Sequence, residues 1–194
     1  MESSYLTSAT SPKQFPNHQG TEFAFIGKSN CGKSSLLNAL LERKNLARKS
    51  ATPGRTTMIN FFSAKVSKEK TYIFADLPGY GYSQTSKNIK KNWDTLMTAY
   101  LNRNEVSKVL FLIDIRRKLE SFELSYIKYL KRINHNIILV LTKTDKVNQA
   151  ESTKQVKEIS NILKNHKIEN LDIIRASVLK KQGLKDIRDQ LFSE

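Results

Sequence analysis

Eight consecutive residues, Gly27-Lys28-Ser29-Asn30-Cys31-Gly32-Lys33-Ser34, leave few folds open to this chain. They match G-x-x-x-x-G-K-[ST], the loop that wraps a run of phosphates, and the flanks supply the setting that loop requires. Residues 22–26 before it are apolar and of strand character, and residues 35–41 after it are apolar at helical spacing. Gly27 and Gly32 let the backbone curl until its N–H groups converge on one anion. The helix that follows adds its positive end. Lys33 would reach the β- and γ-phosphates, and the Ser34 hydroxyl could ligate Mg²⁺. The plain alternative is a glycine-rich turn ahead of an ordinary helix.

The rest of the chain alternates strand and helix. Residues 1–20, rich in Ser, Thr and Pro, read as a flexible leader with Phe15 tucked against the body, and 21–194 as a single domain. A helix is expected over 33–44, and an irregular loop over 45–59 around Thr52-Pro53-Gly54. Strands at 60–66 and 71–76 form a hairpin across 67–70, and 77–87 is a second loop. A helix at 90–103 carries Trp93. The continuous apolar runs 109–113 and 137–141 have the look of strands buried on both faces. Helices at 121–132, 149–166 and 184–192 and a strand at 172–175 complete the pattern. This is an α/β sheet with helices on both faces, which binds ligands at the carboxyl ends of its strands.

Those ends carry the remaining chemistry. Asp76-Leu77-Pro78-Gly79 follows one strand: the aspartate can hold a Mg²⁺ shell through water, and the Gly79 N–H can contact a γ-phosphate. Thr142-Lys143-Thr144-Asp145 follows another. Its carboxylate can accept the two N–H donors of guanine, a pair that adenine does not offer, while the Lys143 stem lies along the base. Ala176-Ser177-Val178 follows the last strand, where a backbone N–H could meet the guanine oxygen. Singly, D-x-x-G is a common turn and T-K-x-D a plausible helix cap. Four such loops in this order, each after a strand, point to a guanine nucleotide site.

Composition bounds the partners. The chain has 194 residues and a formal charge of +15, so polyanions are its natural partners. The aromatic residues are not interleaved with the basic ones as in a recognisable RNA-binding module, so backbone contact is expected rather than sequence readout. No apolar run is long enough to span a membrane, and residues 1–20 hold no hydrophobic signal core, so a cytoplasmic location is expected. The single cysteine, Cys31, suits a reducing compartment. It is either a passive filler or a thiol made oxidisable by the helix end beside it. His18, His135 and His166 lack metal-ligand spacing and are expected at the surface.

The motifs together resemble the EngB (YihA/YsxC) family of bacterial GTPases, within the translation-factor-related GTPases, over nearly everything from Phe15 to Phe192. The phosphate loop continues as Ser35-Leu36-Leu37-Asn38. Thr52-Pro53-Gly54-Arg55-Thr56 precedes Ile59-Asn60-Phe61-Phe62, and Asp76-Leu77-Pro78-Gly79 runs on into Tyr80-Gly81-Tyr82. Thr142 to Asp145 and Ser177-Val178-Leu179-Lys180-Lys181-Gln182-Gly183 complete the set. The resemblance implies a Ras-like P-loop GTPase fold, with a six-stranded, mostly parallel sheet and one antiparallel strand. It also implies Mg²⁺-dependent binding of GTP and GDP, a role in assembling the large ribosomal subunit (its rRNA and proteins), and a need for the protein in division and septation. A monomer is expected. Thr56 would be the Mg²⁺-sensing threonine, so the metal set is Ser34, Thr56 and Asp76, and Gly54, Arg55, Thr57 and Met58 would border the triphosphate. Lys28, Thr57 and Arg117-Lys118 depart from the residues usual in the family.

Ras-type enzymes place a Gln just after D-x-x-G. Here Tyr80 stands there, and slow unassisted turnover is expected. In related GTPases an Asn at the position of Asn30 helps bind a K⁺ that supplements the missing charge; otherwise Asn30 braces the loop through its amide. Arg55 is either an arginine finger in cis or a partner contact. The catalytic candidates are therefore Lys33, Thr56, Gly79 and Asn30. Two other readings stay open: a nucleotide-gated interaction protein at the division site, and a small P-loop kinase.

Overall fold

The computed structural model describes residues 2–18, 20–47, 58–66, 70–80 and 87–193, of which 87–91 are described by backbone alone. Among the described residues seven strands form one sheet: β1 Glu2–Ala9, β2 Thr21–Gly27, β3 Ile59–Lys65, β4 Thr71–Asp76, β5 Val106–Asp114, β6 Asn136–Thr142 and β7 Asp172–Arg175. Five α-helices accompany them among the same residues: α1 Lys33–Leu40, α2 Lys87–Leu101, α3 Ser121–Arg132, α4 Gln149–Asn165 and α5 Leu184–Phe192. The strand order is β1-β3-β4-β2-β5-β6-β7. The pairs β2–β4, β2–β5, β5–β6 and β6–β7 are parallel, and β3 runs antiparallel to both its neighbours.

The expected count of six strands is corrected by β1. Residues 2–9, expected within a flexible leader, form a strand although Glu-Ser-Ser-Tyr-Leu-Thr-Ser-Ala carries little apolar surface. Its stability comes from pairing. Tyr5 packs edge-on against Phe62 at 5.9 Å, the Ser4 and Ser63 hydroxyls bond at 2.8 Å, and Ser8 Oγ donates to Asn60 Oδ1. An edge strand needs only one buried face. Phe15 does lie against the body, 6.1 Å from Phe61 and 5.8 Å from Tyr100, with the Arg103 guanidinium over its ring.

Alternate residues of the central strands feed opposite cores, as a period of two dictates. Val109, Phe111, Ile113, Leu139 and Leu141 pack with residues of α2, α3 and α4. Phe23, Phe25, Leu110, Leu112 and Val140 pack with residues of α1 and α5. Burial on both sides is why these strands read as unbroken apolar runs.

α1 stops at Leu40 rather than at residue 44. Glu42 adopts a left-handed φ of 56°, and the Arg43 N–H reaches back to the Asn38 carbonyl at 2.9 Å, which closes the helix with a Schellman turn. The Asn38 side chain then holds Ala47 by both its N–H and its carbonyl. His135 is a second correction: it is buried, with Nε2 2.6 Å from the Leu101 carbonyl. His18 bonds the buried carboxylate of Glu22 at 2.8 Å.

Candidate functional site

The carboxyl ends of β2, β4, β5, β6 and β7 lie along one edge of the sheet, and loops that leave them bond to one another there. Gly27, the last residue of β2, has no room for a side chain: a Cβ there would stand 2.7 Å from the Leu112 carbonyl and 2.5 Å from Cys31 Sγ. The chain then turns through Asn30, at φ 61°, and Gly32, at φ 107°, which caps α1. Left-handed backbone at both positions rolls the amides inward and sets Lys33 and Ser34 on the first turn of α1. Cys31 is buried in the underside of the loop, and that burial pushes its thiol up despite the nearby Lys33 ammonium. Burial and a raised thiol both favour the reading of Cys31 as a filler.

The β4 loop lies against this cradle. A parallel bridge pairs Lys28 with Tyr80, the Ser29 N–H donates to the Tyr80 carbonyl at 3.3 Å, and a Cβ on Gly79 would press on the Ser29 backbone at 3.1 Å. Leu77 donates its N–H to the Phe25 carbonyl at 3.0 Å, and Leu77 and Pro78 carry the chain across from β4. Asp76 is buried at the strand end. Its Oδ2 accepts the Ser34 hydroxyl at 3.3 Å, while its Oδ1, among the described residues, has no partner. Burial pushes its carboxyl up, and the Lys33 charge and the Ser34 hydroxyl act against that rise. A hydroxyl and an orphaned carboxylate oxygen side by side are hard donors that suit Mg²⁺. Among the described residues no group of three His, Cys, Asp or Glu gathers as a metal cage, so most ligands to such an ion would come from phosphate and water.

On the other side, β6 delivers Thr142. Its hydroxyl donates to the Cys31 carbonyl of the phosphate loop at 2.5 Å and to Ile113 at 3.2 Å. Lys143 takes a left-handed φ of 58°, and its ammonium bonds the Asn30 carbonyl at 2.6 Å and the Asp114 carboxylate at 3.0 Å. Thr144 donates its N–H to the Ala176 carbonyl at 3.2 Å and its hydroxyl to Gln182 Oε1. Asp145 Oδ1 accepts the Ser177 hydroxyl at 2.6 Å, and this bond is the main reason its carboxyl sits below the usual range. Ser177 and Gln182 exchange backbone bonds of 3.1 and 2.9 Å, which leaves Val178 exposed at the rim. Met58 leads into β3, whereas Gly54, Arg55, Thr56 and Thr57 lie outside the described residues.

Residues 22–143 match the family described as 50S ribosome-binding GTPase. The chain is 41% identical, over 99% of its own length and 95% of the relative's, to the "Probable GTP-binding protein EngB" of Clostridium kluyveri. The protein of that description from Thermoanaerobacter pseudethanolicus is 40% identical over 94% of this chain and 92% of the relative. The chain belongs to the EngB family of P-loop GTPases. Among solved structures it is similar to Era in complex with MgGDPNP and nucleotides 1506–1542 of 16S ribosomal RNA. That match has a TM-score of 0.73 at 27% identity, over 90% of this chain and 56% of the Era chain. A crystal structure of a probable GTP-binding protein engB shares the fold, with a TM-score of 0.66 at 16% identity over 89% of this chain and 97% of that one. Membership in the family implies a guanine nucleotide as ligand. Among the described residues, no helix is long and apolar enough to cross a membrane.

Two residues in and behind this EngB-family site were not legible in the sequence. Asp114, at the end of β5, holds both Lys143 and Arg116; the guanidinium reaches it through Nε at 2.9 Å and Nη2 at 2.6 Å. Burial alone would raise its carboxyl, but the Arg116 and Lys143 bonds outweigh that and bring it down to about 2. A lone acid that closes an apolar run was the available signal. Glu123, buried on the first turn of α3, accepts the Tyr80 hydroxyl at 3.3 Å. Its spacing from the second loop gave no such signal.

Proposed function

We propose that this chain is a guanine-nucleotide switch that hydrolyses GTP slowly to GDP and phosphate, and that it acts in assembly of the large ribosomal subunit. The observation that carries the nucleotide reading is the pair of contacts made by the Lys143 ammonium. One ammonium ties the carbonyl of Asn30 in the phosphate loop to Asp114 in the sheet, so its stem is fixed beside the phosphate cradle, two residues before Asp145. A purine would lie along that stem with its edge on Asp145. Guanine donates two N–H groups there, and adenine would leave the carboxylate unpaired. Gly27 to Ser34 would wrap the phosphates, Lys33 would pair the β- and γ-oxygens, and the Gly79 N–H would register the terminal phosphate. Ala176, Ser177 and Val178 would close over the base.

Ser34, Asp76 (through water) and Thr56 would hold Mg²⁺, whose charge would offset that of the phosphates. Gly54, Arg55, Thr57 and Met58 would border the triphosphate. Tyr80 cannot align water as a glutamine does, so turnover is slow until K⁺ at Asn30, a ribosomal partner, or both supply the missing help. The ribosomal reading rests on the charge of +15, which suits a phosphodiester surface, and on the family's description. A cytoplasmic monomer that also supports division and septation is consistent with that role.

Calorimetric titration with GTP, GDP and ATP tests the core of this. Both guanylates should bind and ATP should not. Asp145→Asn should weaken GTP and improve xanthosine triphosphate, because the new amide complements the altered base edge. Unchanged GTP affinity in that variant refutes the assignment. Equal turnover in KCl and NaCl at matched ionic strength would remove K⁺. Co-sedimentation with large subunits should be stronger with a GTP analogue than with GDP and should fall with salt.

A further inference from the structure

Tyr80 follows Gly79, whose N–H is proposed to register the terminal phosphate, and its side chain packs against β5 and α3. The ring is buried, with Phe111 at 6.0 Å and Phe122 at 4.8 Å. Its hydroxyl donates to Glu123 Oε1 at 3.3 Å, and Glu123 Oε2 accepts the Glu120 N–H at 3.0 Å. Both carboxylate oxygens are thus engaged at the first turn of α3. The phosphate loop reaches the same turn independently, through Lys28 Nζ at 3.6 Å from Glu120 Oε2. Behind Tyr80, its carbonyl accepts the Ser29 N–H.

A cap for a helix start can stand in solvent and needs no burial, as Glu151 does for α4 by accepting the Asn148 N–H at 3.0 Å. Glu123 is buried, a cost that its cap alone does not require. What burial adds is the bond to Tyr80. The phenol is rigid and flanked by two rings, so a shift of Gly79 has little slack to disappear into. At 3.3 Å the bond is also longer than the roughly 2.5–2.7 Å of a strong O–H to carboxylate contact, which leaves it room to tighten.

We propose that Tyr80 and Glu123 are positioning residues: together they station the Gly79 N–H for the terminal phosphate and pass its displacement to the first turn of α3, where Phe122 is exposed. The proposal rests on the guanine-nucleotide reading above. It makes the α3 face beside α2 the surface whose shape depends on which nucleotide is bound. The chain carries its own reporter, because its single tryptophan, Trp93 on α2, lies 6.5 Å from Tyr126, and Tyr126 stacks at 5.8 Å on Phe122.

The test uses the full chain. Calorimetry first measures GDP and a non-hydrolysable GTP analogue, and the Trp93 emission of each complex is then recorded. Wild type should emit differently in the two complexes. Tyr80→Phe keeps the ring and removes only the hydroxyl; Glu123→Gln keeps the size of the side chain and an acceptor for Glu120. Each should shrink the emission difference and weaken the analogue by about fivefold, the scale of one hydrogen bond, while GDP affinity stays within about twofold. The double variant should be no worse than the worse single, as for partners in one unit. Thermal melts show that each variant is folded, and either one suffices if the other is not. Two results overturn the proposal: wild-type complexes that emit alike although both nucleotides bind, or a folded variant that keeps both the full difference and the full preference for the analogue. A silent calorimeter would instead remove the nucleotide reading, and the proposal with it.

Discussion

On the phosphate side of the site, shape comes from the main chain. Gly27 sits where no Cβ fits, Gly32 and Asn30 hold left-handed φ values, and the buried polar groups include a carboxylate oxygen of Asp76 that has no partner among the described residues. On the base side, side chains are already bonded to one another: Lys143 to Asp114 and Asn30, Thr144 to Gln182, Asp145 to Ser177. The first half is sterically set but electrostatically open; the second is electrostatically closed. An open half gains most from an anion and its metal, because their charge satisfies what folding left unsatisfied. A closed half gains discrimination, because a carboxylate that cannot swing away penalises the wrong base.

The difference predicts unequal costs of substitution. Gly27→Ala should be the most damaging, since the clash is with the Leu112 backbone and cannot be relieved by a rotamer. Affinity for GDP should fall by about a hundredfold or more, on the order of 3 kcal/mol. An alanine variant that titrates like wild type would show that the cradle is not set by sterics. Next comes Thr142→Val, which keeps the shape and deletes the hydroxyl that joins the two halves at the Cys31 and Ile113 carbonyls. Those buried carbonyls lose a donor, so denaturant unfolding should report a loss of about 1–3 kcal/mol with an unchanged slope.

Asp114→Asn should cost less, about tenfold in nucleotide affinity or roughly 1.4 kcal/mol, because Lys143 keeps its bond to Asn30. It also has a pH signature. The folded carboxyl, at about 2, lies below its unfolded value of roughly 3.9. Its contribution to stability is therefore complete above about pH 4 and is lost as pH falls towards 2. Unfolding free energies across that window should drop in wild type by an amount that the asparagine variant does not share.

How much of this was legible follows the same division. The phosphate loop announces itself because its chemistry is local: glycines, a lysine and a hydroxyl in eight residues, with a strand before and a helix after. β5 and β6 were legible because burial on both faces leaves 109–113 and 137–141 without a polar residue. β1 was not, because an edge strand of Ser and Thr is stabilised by pairing with β3, which leaves no mark on its own composition. Asp114 and Glu123 were missed for the converse reason. Each acts on a residue brought near only by the sheet, and nothing in the spacing of Tyr80 and Glu123 says that they touch.

The mildest change tests the closed half where it faces the base. Ser177→Ala removes the hydroxyl that bonds Asp145 at 2.6 Å and accepts the Lys180 N–H at 3.1 Å, but the paired backbone bonds between Ser177 and Gln182 remain. The loop should keep its path, so only the carboxylate loosens, and GTP affinity should fall by about three- to tenfold. The Ser177 bond is also the chief cause that lowers the Asp145 carboxyl, so its removal lets that carboxyl rise towards the ordinary range. Only the ionised form accepts both guanine donors. Binding measured down an acid series should therefore fail at a higher pH in the variant than in wild type. If the two curves coincide, Asp145 takes its charge state from its other neighbours, and the base side is less tightly closed than its bonds imply.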